Sequence, residues 1–266
     1  MAHKLCASKG ATMGFLDSLF DLTGKVVVVT GGSRGLGKQI VLGCAQAGAD
    51  VVVASRKIEA CQIVADEVEA STGRQAMAYG VHVGRWDQLE PFVNSVYERF
   101  GRIDVLVNNA GVSPYYEKNT DVTEQLFDTI NNLNYKGPFR LTALVGERMQ
   151  AAGSGSIINI SSGAATDPGG NNIPYGSSKA ALNTLTQGFA VAYAPEVRVN
   201  TIVSGGMLTD IIKDYMAMQG ESITANIPMK RIGNPEEMVG AVIYLASDAS
   251  SYTTGATIRV DGGAGH

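Results

Sequence analysis

The stretch KVVVVTGGSRGLG, Lys25 to Gly37, decides the fold. Its first half is an unbroken β-branched run, Val26 to Val29, closed by Thr30. A strand with no polar alternation is one covered on both faces, as in a parallel sheet. Glycines then crowd together at Gly31, Gly32, Gly35 and Gly37, and a helix-forming segment runs from about Gly37 to Ala47. Glycine lets a backbone turn tightly and approach a ligand closely, while a helix start offers unpaired N–H groups and the positive end of the dipole. Strand, glycine turn and helix in that order predict a seat for a pyrophosphate, built from Gly31, Ser33, Arg34, Gly35, Leu36 and Gly37.

The same letters contain a rival, because GGSRG, Gly31 to Gly35, also fits G-x-S-x-G with Ser33 as a nucleophile on a strand-to-helix turn. That chemistry needs an acid and then a histidine downstream. The downstream histidines are His82, in the third strand, and His266, the last residue, so the triad lacks a base.

Outward from this stretch, strand and helix alternate. Strands are predicted at Asp50–Ser55, Gln75–Val83, Ile103–Asn109, Ser156–Ser161, Val197–Val203 and Ala256–Val260. Helices are predicted at Ile58–Ser71, Trp86–Phe100, Glu124–Met149, Tyr175–Ala192 and Pro235–Ser247. This rhythm is that of an α/β doubly wound Rossmann fold with right-handed crossovers. We expect one domain over residues 21–266, a seven-stranded parallel sheet in the order 3-2-1-4-5-6-7 with helices on both faces, and a loose extension over residues 1–20. Two long connections, Val112–Thr123 and Ser204–Asn234, fall where loops line the ligand crevice. The second carries Leu208, Ile211, Ile212, Tyr215 and Met216 at helical spacing, which suits either a packed surface helix or a lid over an apolar substrate.

Composition narrows the function. The 266 residues include 32 glycines, well above the usual share of about 7%. Some of them, Gly43, Gly146, Gly188 and Gly240, fall inside predicted helices, where each costs about 1 kcal/mol relative to alanine and so implies close helix packing. Charged residues are 17% against the usual figure of about 25%, which fits a surface partly covered by subunit contacts. A net charge of −4 gives no footprint for nucleic acid or an anionic membrane. Cys6, Cys44 and Cys61 have neither metal-ligand nor disulfide-framework spacing, which points to a reduced, cytoplasmic compartment and no metal. The first twenty residues hold only short apolar pieces, so no secretory or membrane-spanning segment is expected.

A dinucleotide fold reads the ribose about twenty residues beyond the glycine turn, where a carboxylate would bind the 2′-hydroxyl of NAD. Here that place holds Ser55, Arg56 and Lys57, with Arg34 in the turn itself. Cations and a hydroxyl suit a 2′-phosphate, so NADP(H) is expected rather than NAD(H). Further along, YGSSK places Tyr175 and Lys179 four apart on one helix face. A tyrosine, with a reference pKa of about 10, becomes a usable acid–base near neutrality when a cation stabilises its phenolate.

Together TGGSRGLG, NNAG (Asn108 to Gly111), NYKG (Asn134 to Gly137), the serine of ISS, YGSSK and the closing YTTGATIRVDGG make the chain resemble the short-chain dehydrogenase/reductase family, in its shorter single-domain branch, from about Leu22 to Gly263. The resemblance implies that Tyr175 exchanges a proton with the substrate oxygen, and that Lys179 lowers the tyrosine pKa and holds the nicotinamide ribose. It further implies that Ser162 binds the substrate oxygen and that Asn134 anchors a water for proton exchange. Ser161 is the alternative to Ser162, and Asn131 and Asn132 are the alternatives to Asn134. Asn108, Asn109, Ala110 and Gly111 would border the adenine ribose, His82 and Val83 the adenine, and Gly205, Met207 and Thr209 the nicotinamide and pyrophosphate. Two positions depart from the family pattern: His82 stands where an Asp is usual, and Ser204 precedes Gly205 where Pro is usual. His82 also reads as a satisfied strand-end histidine, and Trp86 as packing at a helix start.

The implied activity is NADP(H)-dependent hydride transfer between nicotinamide and a carbonyl or secondary alcohol, similar to that of the 3-oxoacyl thioester reductases and small polyol or ketone dehydrogenases. The alternatives are a non-catalytic NADP-binding scaffold or sensor on the same fold, and an epimerase or dehydratase, which would carry a longer substrate domain. Low charge, apolar helices and family habit together imply a homotetramer acting on small molecules.

Overall fold

The computed structural model describes residues 14–209 and 224–265. Seven strands, β1 (Val26–Thr30), β2 (Asp50–Ser55), β3 (Ala76–Gly80), β4 (Val105–Asn108), β5 (Gly155–Ser162), β6 (Val197–Ser204) and β7 (Thr257–Val260), form one sheet in the order β3-β2-β1-β4-β5-β6-β7. Every pairing is parallel, from Val26 opposite Asp50 to Ser204 opposite Val260. The expected fold class and strand order are those observed. The direction of winding reverses between β1 and β4, and ligands of open α/β sheets bind outside the carboxyl ends at such a reversal.

Strand parity sorts the valines into two cores. Val27, Val29, Val51, Val53, Val105 and Val107 face α2 (Gly35–Gln46), α3 (Ile58–Thr72) and α8 (Val239–Ala246), through Ile40, Val64, Val68 and Val242. Val26, Val28, Val52 and Leu106 face the opposite way, toward Leu89 and Phe92 of α4 (Trp86–Phe100) and Leu141 and Val145 of α6 (Gly137–Ala152). Burial on both faces is what an unalternated run such as VVVV requires.

Of the four helix-interior glycines, two are packing sites: a β-carbon on Gly43 would collide with Val239, and one on Gly146 with the Tyr193 ring. Gly188 and Gly240 have open space instead, so the expectation of close packing fails for them within the described residues. Within the stretch read as a loose extension, Phe15–Phe20 is helical (α1) yet buries none of its residues.

The stretch expected to be one helix from Glu124 is helical throughout but not uniformly α. After α5 (Glu124–Asn131) the chain takes a π-helical turn, Asn132–Lys136, before α6 begins. Such turns occur mostly as single-turn insertions inside α-helices, frequently at functional sites. The last predicted helix also divides, into a 3₁₀ turn at Pro235–Met238 and α8. Helix α7 (Ile173–Ala192) starts two residues before Tyr175. Of the apolar stripe in the second long connection, Ile211, Ile212, Tyr215 and Met216 lie outside the described residues, as does the middle of the expected lid, residues 210–223. No described helix is long and apolar enough to cross a membrane.

Candidate active site

The glycine turn is tied to the neighbouring strand end. The Thr30 hydroxyl accepts from the backbone N–H groups of Asn109 (3.0 Å) and Ala110 (3.1 Å) and donates to the Val107 carbonyl (3.3 Å). In return the Asn109 amide donates to the Thr30 carbonyl at 2.8 Å. The turn folds back on its own helix, so a β-carbon on Gly37 would collide with the Gly31 carbonyl, and one on Gly31 would sit 2.9 Å from Asn109 Nδ2. Gly31 also has φ +68°, in the region that favours glycine. The Arg34 side chain does not cap the N-terminus of α2. Thr209, after β6, closes on the turn, its methyl 3.3 Å from where a Gly35 β-carbon would be.

Asn108, expected beside the adenine ribose, faces the core instead, donating to Thr142 Oγ1 (3.2 Å) and Asn159 Oδ1 (2.9 Å). Asn109, one residue on, reaches the glycine turn. Parity along β4 accounts for the difference, since Asn108 shares a face with buried Leu106.

At the end of β2, Ser55 is half-buried, and its hydroxyl lies 3.0 Å from the Cys61 sulfur, a partner that sequence reading missed. Arg56 and Lys57 are exposed and form no ion pair among the described residues. Two residues beyond β3, His82 Nδ1 accepts from Gly84 N–H (3.1 Å), and the His82 backbone N–H donates to Gln88 Oε1 (2.9 Å). Partial burial, with the charges of Arg56 and Arg85, holds its pKa below the ordinary value. Val83 is buried beneath the start of α6, and a β-carbon on Gly137 would strike its carbonyl.

Four residues into α7's YGSSK run, Lys179 is only 4% exposed. Its ammonium donates to the Ile160 carbonyl at 2.7 Å and stands 6.0 Å from the centre of the Tyr175 ring. Burial pushes its pKa down to about 8. Gly111 brings the end of β4 onto this lysine: a β-carbon there would lie 3.5 Å from Lys179 Nζ and 3.4 Å from Asn134 Oδ1.

Asn134, in the π turn, is fully buried and its amide is committed on both sides. Its Oδ1 accepts from Val112 N–H (2.9 Å), and its Nδ2 donates to the Val112 carbonyl (2.9 Å) and to Ser178 Oγ (3.1 Å). Ser178 in turn donates to the Tyr175 carbonyl at 2.7 Å. Asn131, the rival to Asn134, only bonds back to Phe127 within its own helix. Of the two serines, Ser161 is 2% exposed with its hydroxyl directed to the Lys179 carbonyl (3.4 Å), whereas Ser162 is half-buried at the strand end. A second residue missed in the sequence is Tyr116, whose phenol oxygen accepts the first N–H of α7, from Ile173, at 2.9 Å. It stands in for the side-chain cap that Asn172 does not give.

Beyond β6, Gly205 packs against Asp261, 2.6 Å from its Cα to an added β-carbon, and Met207 pairs with Gly233 as an isolated parallel bridge. The structure thus gathers the carboxyl ends of β1, β4, β5 and β6 around one crevice. Among the described residues no group of histidine, cysteine and acidic side chains is placed to hold a metal.

A parallel sheet with a glycine turn at its reversal and helices on both faces defines a Rossmann-like fold. A family model described as enoyl-(acyl carrier protein) reductase matches residues 31–265. An L-rhamnose 1-dehydrogenase (NAD(P)(+)) of Sphingomonas sp. is 36% identical over 91% of this chain and 96% of that protein. A 3-oxoacyl-(acyl-carrier-protein) reductase FabG of Thermotoga maritima is 36% identical over 91% and 98%. A short-chain type dehydrogenase/reductase from Mycobacterium marinum superposes with a TM-score of 0.86 at 37% identity, covering 93% of this chain and 98% of that one. The chain belongs to the short-chain dehydrogenase/reductase family. It is an oxidoreductase of the NAD(P)-dependent kind.

Proposed function

We propose that the chain moves a hydride between NADP(H) and a carbonyl or secondary alcohol carbon, on a 3-oxoacyl thioester or another apolar ketone. The observation that carries this reading is Lys179, a buried ammonium 6.0 Å from the Tyr175 ring. A charge taken out of water is costly to keep and is retained where it does chemistry.

The glycine turn fits a dinucleotide, because the missing β-carbons at Gly31 and Gly37 let the backbone fold tightly onto its own helix and onto Asn109, beside a helix start that the Arg34 side chain does not cap. Gly31, Ser33, Arg34, Gly35, Leu36 and Gly37 would hold the pyrophosphate. Ser55, Arg56, Lys57 and Arg34 would hold the 2′-phosphate, and Asn109, Ala110, Gly111, His82 and Val83 the adenosine. When bound, the nicotinamide donates or accepts the hydride. Tyr175 protonates the carbonyl oxygen in reduction and takes the hydroxyl proton in oxidation. Lys179 stabilises the phenolate by its charge. Ser162 donates a hydrogen bond to the substrate oxygen. Because the Asn134 amide is committed to Val112 and Ser178, its proposed water anchor is its backbone carbonyl rather than its side chain. The reading includes a homotetramer, supported by the open space over Gly188 and Gly240 and by Val191 at 82% exposure.

The test is a panel of 3-oxoacyl thioesters, quinones, sugars and steroid ketones assayed with NADPH and NADH, for the wild type and Tyr175→Phe. Loss of the phenol is expected to lower kcat by about 10²–10⁴-fold while cofactor binding survives. Turnover unchanged in Tyr175→Phe would sink the mechanism.

A further inference from the structure

Ser55 ends β2, the place from which dinucleotide folds read the ribose 2′ position. A serine hydroxyl has one hydrogen and two lone pairs, and a thiol has one hydrogen. Cys61, in the first turn of α3, is fully buried with its sulfur 3.7 Å from the Tyr79 carbonyl and 3.0 Å from Ser55 Oγ. The Tyr79 carbonyl can only accept. When it takes the thiol hydrogen, the sulfur serves Ser55 as an acceptor, and the serine hydrogen points inward. The face of Ser55 turned toward the crevice is then a pair of lone pairs. That face matches a ribose 2′-hydroxyl, which can donate, and mismatches a 2′-phosphate, whose exposed oxygens accept. To meet a phosphate, the thiol hydrogen must leave Tyr79 and turn to Ser55.

We propose that Cys61 is a positioning residue that sets the direction of the Ser55 hydrogen bond and so opposes the preference of Arg34, Arg56 and Lys57 for a 2′-phosphate. The inference rests on the cofactor reading above, and it assigns to a buried thiol outside the crevice a part in choosing the dinucleotide. The chain therefore uses both NADP(H) and NAD(H), with a narrower preference than its cations alone would give.

The test is the ratio of the NADH and NADPH dissociation constants, measured by titration calorimetry on the full chain without substrate. Cys61→Ala frees the Ser55 hydrogen, and the ratio is expected to move toward NADPH by about threefold, the scale of one modest hydrogen bond. Cys61→Val, which fills the space alanine leaves, is run in parallel with the same expectation. Cys61→Ser keeps one hydrogen at the same place and should stay close to the wild-type ratio. In a Ser55→Ala background the Cys61→Ala change should have no effect on the ratio, because the group through which it acts is gone. A merely structural role for Cys61 would weaken both dinucleotides together. A ratio unmoved in both Cys61→Ala and Cys61→Val, moved toward NADH, or still moved when Ser55 is absent overturns the inference while leaving the cofactor reading intact. Wild-type protein that binds neither dinucleotide overturns the cofactor reading, and this inference with it.

Discussion

In the proposed mechanism Lys179 pulls stability and catalysis in opposite directions. Burial lowers its pKa from the ordinary 10.5 to about 8. Below pH 8 the lysine is protonated in both the folded and unfolded chain, and the folded state carries the full cost of the buried charge. Between about 8 and 10.5 the folded chain releases the proton while the unfolded chain keeps it, so this group's contribution to stability rises with pH. Catalysis runs the other way, because the deprotonated amine no longer stabilises a phenolate. We therefore expect kcat/KM to fall above about pH 8. Lys179→Met should lose about 10²–10⁴-fold in kcat without lowering Tm. A pH–rate profile and a thermal melt check both; an alkaline limb that persists in the residual activity of the variant would contradict the assignment. The nearness of Lys179 to Tyr175 was legible from spacing, since residues four apart share a helix face, whereas the roles proposed for them were read from the family resemblance. The Cys61 contact with Ser55 was not, because a hydrogen bond between a strand end and the next helix depends on how the two pack. Asn108 and Asn109 stand between these cases: strand alternation separates inward from outward, but only once the strand's limits are known.

Among the elements, the β-branched runs and the glycine turn were readable because each has a local physical cause. The β1–α2 turn yields a direct test. Gly37→Ala drives a β-carbon into the Gly31 carbonyl, so a destabilisation of about 1–3 kcal/mol, with loss of dinucleotide binding, is expected in denaturant unfolding and calorimetry. Retained stability and affinity would mean the turn can relax, and the cradle argument would fail. The π turn left no trace in the sequence, because NLNYK is as compatible with an α-helix as with one residue extra. Its effect is nonetheless large: α5 packs on α7, while α6 packs mainly on α4 and the sheet and touches α7 less. An α-helix advances about 100° per residue, so one inserted residue lets two halves of one helical path face different neighbours. Asn134 sits at that change of phase, where a uniform helix would have turned it elsewhere.

For the molecule as a whole, the surface carries the remaining expectation. Gly188 and Val191 lie three apart on α7, one with empty space above it and the other 82% exposed. If that face meets another copy of the chain, light scattering at micromolar concentration gives a tetramer mass, and Gly188→Arg shifts it toward smaller species with the fold retained. A monomeric wild type would refute the assembly. The seven-stranded sheet also divides labour between its two faces. Ser55 and Cys61 belong to the side of α2, α3 and α8, whereas Asn134, Tyr175 and Lys179 come from the helices on the other. Side chains separated by a buried sheet touch no common protein group, so in the proposed reading their substitutions couple only through the dinucleotide that both sides would hold. On that reading cofactor choice is expected to be retuned from one side of the molecule with little change to the proton chemistry on the other.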